Sequence, residues 1–326
     1  MKEKLPQKEQ EGKQTTDTVL MIYPDTYKFN PETATSNTFM KEVRNMTDEE
    51  INKQAKVEFG SAVIKLTNNG INVIVIHSVG GKDTPDAVYP NNWISFNEGG
   101  MILYPMRNNS RSIERQPQTI LQAFKKANFE TPEVIDLSYH EQAREIDEFE
   151  NSVCTEALEG TGSMVLDRVN KISYAIESPR TTKKVFDEWC NIMDYEGVFF
   201  HGENEKGPIY HTNVIMGIGE KFAVISLESI KDINERATVL ASLQKSGKEV
   251  IDISLRQVDK FCGNLLELKS TDAKPKIVMS TQAYEAFTPK QIERFETFGE
   301  VITLEIPMIE NGGGSARCIL AEVFFK

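Results

Sequence analysis

Only four cysteines occur in the 326 residues, Cys154, Cys190, Cys262 and Cys318, and no two of them form a C-x-x-C pair. No histidine lies at metal-ligand spacing from a cysteine or from another histidine. A disulfide framework and a structural zinc site are thereby excluded, and no metal or other cofactor is expected. Basic clusters are missing too. The net charge is −12, and Lys and Arg are scattered among acids, which excludes a surface that binds nucleic-acid phosphates. No apolar run reaches membrane-spanning length; the best, 71–79, is broken by Asn72, His77 and Ser78. The polar N-terminus lacks the apolar core of a signal peptide, so the expected location is cytoplasmic. Segment 1–16 offers only Met1 and Leu5 as apolar residues and is expected to be a disordered tail. No linker-like stretch interrupts 17–326, which reads as a single α/β domain, large for one core.

What is present is a repeated phrase. A helical segment ends and a short apolar, β-branched run follows: 71–78 (INVIVIHS), 133–138 (EVIDLS), 197–202 (GVFFHG), 249–254 (EVIDIS) and 301–307 (VITLEIP). Such runs predict strands buried on both faces. The helices before them are placed at 47–69, 117–128, 181–193, 232–246 and 289–297. Thr47 and Glu50 form a capping box with Gly70 past the other end, and Thr288-Pro289 is a cap followed by a first-turn proline. Further strand patterns lie at 164–176 and 214–227, the latter with a hairpin turn at Gly219-Glu220. Five units, each too small to bury its own helix, predict a ring of five packed modules rather than an open sheet. Polar motifs recur 5 to 21 residues past each buried run: 86–92 (DAVYPNN), 158–163 (LEGTGS), His211-Thr-Asn213, Gly263-Asn264 and 312–318 (GGGSARC). A ring would gather them at one central site.

Cys318 follows three glycines, which let the backbone approach a bound group, and opens the strand pattern CILAEVFF. That context favours a functional thiol at a strand edge; the other three cysteines read as buried hydrophobes. His211 is the preferred histidine because Thr212 and Asn213 put polar side chains at the mouth of an apolar strand. A Cys and a His far apart in sequence can still meet as nucleophile and base. Glu159, between Leu158 and a glycine, reads from the residues alone more readily as a turn residue than as a functional one, and Asp86 and the Asn91-Asn92 pair share that ambiguity. Neither glycine cluster has the spacing of a phosphate loop, so nucleotide binding is unsupported.

Taken together and in this order, the motifs resemble the guanidino-group modifying superfamily, the pentein fold, whose members include arginine deiminase and dimethylarginine dimethylaminohydrolase. The resemblance covers 18–326 and is strongest to the citrulline hydrolase branch. It implies a five-bladed, pseudo-symmetric α/β propeller and a catalytic set of Cys318 as nucleophile, His211 as acid and base, and Glu159 as its orienting carboxylate. It also implies a substrate pocket with Asp86, Asn92, Asn213, and Arg111 and Arg180 for the substrate carboxylate. Two departures stand out. Relatives that bind a guanidinium cation carry aspartate where this chain has Asn92, and arginine deiminases carry another where it has Asn213. Amides fit a neutral ureido group, whereas an unpaired buried carboxylate costs several kcal/mol. The expected reaction is hydrolysis of citrulline to ornithine, carbon dioxide and ammonia. The alternatives are a deiminase or amidinotransferase acting on arginine or another guanidine, or a non-catalytic propeller that serves as a binding module. The expected partner is a small amino-acid substrate, without nucleic acid or membrane; the sequence allows a homodimer and does not require one.

Overall fold

The computed structural model describes residues 12–98 and 100–325. Its described residues form five three-stranded sheets of one design, in which an antiparallel pair is extended by a parallel third strand. Four sheets are continuous in the chain. They are Ile94–Asn97, Gly100–Leu103 and Glu133–Asp136; Met164–Asp167, Ile172–Ile176 and Glu196–Phe200; Met216–Ile218, Phe222–Ile225 and Glu249–Asp252; and Leu266–Lys269, Pro275–Ser280 and Glu300–Leu304. The fifth joins the two ends of the chain: Ala321–Val323 pairs antiparallel with Thr18–Tyr23, which pairs in parallel with Asn72–His77.

Parallel neighbours need a crossover, and in every unit helix supplies it. The crossovers are Asp48–Asn68, Pro117–Lys126, Lys183–Met193, Ile233–Lys245, and the pair Thr281–Ala286 and Pro289–Phe298. Local chemistry sets their ends. The Thr47–Glu50 capping box is closed in both directions, Gly70 takes φ +79°, and Thr288 caps the helix that opens at Pro289. The turn at Gly219 closes the hairpin between Met216–Ile218 and Phe222–Ile225.

Two expectations need correction. The runs predicted to be buried on both faces are the outermost strands of their sheets. Asn72–His77 buries only Ile76, and Glu133–Asp136 buries none of its residues. Each has a single neighbour and a helix on one side, so continuous apolar character here reflects β-propensity and packing on that helix. The deeply buried strands are the first and middle ones, such as Ile94–Asn97 with Gly100–Leu103 and Met164–Asp167 with Ile172–Ile176. The second correction concerns the tail. Residues 1–11 lie outside the described residues, but Gln14, Thr15 and Thr16 are buried. Gln14 donates to the carbonyls of Leu166 and Ile218 and accepts from the Arg168 N–H. Ordered backbone partners outweigh a polar composition at this point. Among the described residues no helix is long and apolar enough to cross a membrane.

One long-range contact prepares the site. Glu58, buried on the helix Asp48–Asn68, accepts from the N–H groups of Met308 and Ile309 at 2.9 to 3.0 Å, just ahead of the glycine run. Glu58→Ala orphans those donors and should lower the unfolding free energy by roughly 1–3 kcal/mol. Urea denaturation measures it, with Glu58→Gln expected to lose less because it keeps one acceptor.

Candidate active site

Each polar motif lies in a turn directly ahead of the first strand of its unit. Pro90–Asn92, Gly160–Ser163 and Thr212–Val214 are single helical turns. Asn264 and Cys318 sit in tight turns ahead of Leu266 and Ala321, so the strand expected from Cys318 onward begins three residues later. All these residues are buried. Glycine lets the turns meet. Gly160 has φ +50°, and a Cβ there would stand 2.3 Å from the Asn91 carbonyl oxygen; at Gly162 it would stand 2.5 Å from Asn92 Nδ2 and 2.7 Å from His211 Nδ1.

His211 Nε2 lies 2.9 Å from Glu159 Oε2. Glu159 also accepts from the Arg107 N–H at 3.1 Å and from Arg180 Nη1 at 3.5 Å. Burial pushes the Glu159 carboxyl up, but Arg180, the hydrogen bond from His211 and the field of Arg111 more than offset it and hold it at about 2. Burial takes the imidazole the other way, down to about 4, even against the pull of Glu159. At neutral pH the pair is therefore a carboxylate beside a neutral ring.

The Cys318 sulfur accepts from two carboxamides, Asn264 Nδ2 at 3.2 Å and Asn213 Nδ2 at 3.5 Å. Cys154 and Cys262 instead donate to the carbonyls of His140 and Ala283, and burial pushes their thiols up to about 11 and 12. Burial also raises the Cys318 thiol, with the Ser315 backbone and Asn264 acting against it. Asn213 Oδ1 is buried without a partner.

Asp86, Asn92, Arg111, Arg180, His211 and Cys318 line one small cavity together with Thr33, Asn37, Tyr89, Tyr210 and the backbone of 312–314. It has room for about one water molecule. Asp86 Oδ2 accepts from Asn30 and Thr33, while its Oδ1 has no partner. The two arginines expected to hold a substrate carboxylate each have protein partners. Arg111 donates to Glu114, Asn92 and the Tyr89 carbonyl. Arg180 donates to Ser36, the Thr33 carbonyl and Glu159, with its guanidinium 5.0 Å from the Tyr210 ring centre.

The model of the family described as N,N dimethylarginine dimethylhydrolase, eukaryotic, matches residues 23–325. The chain belongs to this family. With it the dimethylarginine dimethylhydrolase-family chain enters the pentein superfamily of guanidino-group modifying enzymes, among them hydrolases of C–N bonds. No curated protein sequence matches it. Solved structures share its fold at low identity. The substrate-bound N-terminal domain of ArgZ, an arginine dihydrolase from the ornithine-ammonia cycle in cyanobacteria, is 16% identical over 94% of this chain and 98% of that one, with a TM-score of 0.64. AgrE in complex with L-arginine is 15% identical over 94% of this chain but 40% of its own, at 0.67. A dimethylarginine dimethylaminohydrolase adduct with S-methyl-L-thiocitrulline is 11% identical over 94% and 99%, at 0.58.

Within this family member, sequence reasoning missed three groups. Asn264 touches the sulfur, and its place in the recurrent Gly263-Asn264 motif was the available signal. Glu114 holds Arg111 from three residues away. Segment 30–37 roofs the cavity, and nothing in its composition marks it. The arrangement can store a proton at His211, keep a carboxylate beside it, and present a thiol to a ligand with both amide donors and an amide acceptor nearby.

Two measurements test these protonation states. Alkylation of Cys318 by iodoacetamide in the free protein should be slow at pH 7. It should climb about tenfold per pH unit toward values above the ordinary 9.0; a plateau below pH 8 contradicts the buried-thiol assignment. Folding favours the neutral His211 ring, since its folded value lies below the ordinary one. That contribution is whole above pH 6.5 and is lost as the pH falls to about 4. Stability should fall more steeply across this window in the wild type than in His211→Gln, and equal slopes overturn the argument.

Proposed function

We propose that the chain hydrolyses the ureido group of citrulline, with Cys318 as nucleophile. The observation that carries this reading is the neutral lining of the sulfur: two carboxamides donate to it, and Asn213 Oδ1 stands buried and unpartnered. A ureido group is uncharged and can give an N–H to that oxygen. A guanidinium cation would face amides where its charge needs carboxylates, with the Arg111 cation close behind Asn92.

The proposed sequence balances as follows. The Cys318 thiol passes its proton to neutral His211, and the sulfur attacks the ureido carbon, forming a C–S bond. The developing oxyanion takes N–H bonds from the surrounding carboxamides. His211, charged against Glu159, returns the proton to the departing nitrogen as the C–N bond breaks. Water, deprotonated by His211, attacks the thiocarbamate carbon; the C–S bond breaks, the sulfur takes the proton back from His211, and the released carbamic acid breaks its remaining C–N bond to give carbon dioxide and the second amine. One citrulline and one water give ornithine, carbon dioxide and ammonia. The unused N–H groups of Arg111 and Arg180 take the α-carboxylate, and Asp86 Oδ1 offers a counter-charge to the α-ammonium. This reading takes the five units as blades of a propeller within one hydrolase domain, which sets the five turns around a common axis.

A guanidine hydrolase acting on arginine or dimethylarginine is the second reading, and the unpartnered oxygen Oδ1 of Asp86 favours it. Assays of ornithine and ammonia from citrulline, arginine and dimethylarginine separate the two. Citrulline should be preferred by about 10²-fold or more in kcat/KM; turnover of arginine without ornithine release from citrulline sinks the proposal. Cys318→Ala should abolish turnover with an unchanged denaturation midpoint. Asn92→Asp should lower kcat/KM for citrulline about tenfold or more.

A further inference from the structure

Asn92, which lines the cavity, and Asn213, which bonds the Cys318 sulfur, hold their carboxamides in opposite senses. Arg111 carries only donors. It is buried and held from three separate places: Nε donates to Glu114 Oε1 at 2.8 Å, Nη2 to the Tyr89 carbonyl at 3.1 Å, and Nη1 to Asn92 Oδ1 at 3.0 Å. A flipped Asn92 would set its NH2 against the guanidinium, donor against donor, in a buried site. The amide orientation is therefore set by its neighbour. The nitrogen is left on the other side, where one N–H donates to Asn91 Oδ1 at 3.0 Å. A Cβ at Gly162 would stand 2.5 Å from that nitrogen, so the amide keeps this place only beside a glycine. Asn213 is turned the opposite way, with its nitrogen on the Cys318 sulfur and its oxygen unpartnered.

We propose that Arg111, held by Glu114, is a positioning residue that determines specificity by locking Asn92 as a hydrogen-bond donor. The site then offers one donor and one acceptor, the polarity of an O=C–NH2 end. A guanidinium group, with N–H on every side, meets a donor at Asn92 and loses a partner there. The preference for citrulline rests on the proposed function; the locked orientation of Asn92 does not.

The test uses two readouts on the full chain. First, the side-chain 15N–1H signals of Asn92, identified by their loss in Asn92→Asp, should shift and broaden in Arg111→Met and stay near their wild-type positions in Arg111→Lys, which keeps a donor-only group. Second, the ratio of kcat/KM for citrulline over arginine should fall about tenfold or more in Arg111→Met. It should be largely restored in Arg111→Lys and unchanged in Arg180→Met. Both ligands carry the same α-amino-acid end, so loss of a carboxylate contact lowers both rates together and leaves the ratio alone. Unchanged Asn92 signals in Arg111→Met overturn the proposal, as does an unchanged ratio. Should Arg111→Met not fold, Glu114→Gln loosens the same guanidinium and is expected to move both readouts in the same direction, less far. A wild-type chain that releases no ornithine from citrulline defeats the functional reading, while the Asn92 signals still decide the role of Arg111.

Discussion

A carboxylate and an imidazole bonded to each other in a fully buried place, Glu159 and His211, set the terms for everything around them. Ions removed from water are tolerated only when each is paired and hydrogen-bonded. Glu159 is satisfied by a backbone N–H, a guanidinium and the ring, and the ring stays neutral beside it. Arg180, needed against Glu159, must in turn be held, and Ser36 and Thr33 of the roofing segment hold it. The roof is thus a consequence of the buried charge as much as a cover over a cavity.

Around the sulfur the same economy takes a different form. The side chains that bond the Cys318 sulfur are the carboxamides of Asn213 and Asn264, which polarise without adding charge. Asn264 also donates to the Asn213 carbonyl and accepts from the Arg317 N–H, so it binds the turns of two units to the turn that carries the thiol. Glu58 secures the chain just upstream of that turn. Geometry at the sulfur therefore depends on residues spread from Glu58 to Arg317, none of which is near Cys318 in sequence except the last.

Much of the architecture was legible because it is local. Thr47 with Glu50 specifies a helix start through bonds three residues long, Thr288-Pro289 specifies another by a cap and a proline of fixed φ, and Gly219-Glu220 marks a hairpin. The repeated succession of helix and apolar run disclosed five similar units, and the structure puts Asn92, His211 and Cys318 on one cavity, with Glu159 bonded to His211 and Asn213 to the Cys318 sulfur. Burial was misjudged in 71–78 and 133–138, because an apolar run does not say whether its strand is the middle or the last of a sheet. The order of Gln14–Thr16 was missed for a similar reason: its partners, Leu166, Arg168, Ile218 and Val323, lie more than 150 residues away.

What the amino-acid sequence determined by itself was the inventory: which short-range caps and turns exist, how often the unit repeats, and that positions 92 and 213 carry amides. Those properties depend on bonds between near neighbours or on residue type alone. Tertiary structure decided which way each amide faces, since orientation follows from a donor or acceptor brought from elsewhere: Arg111 for Asn92, the Cys318 sulfur for Asn213. It also decided the charge on His211, because burial is a property of the assembled chain and outweighs the carboxylate bonded to the ring.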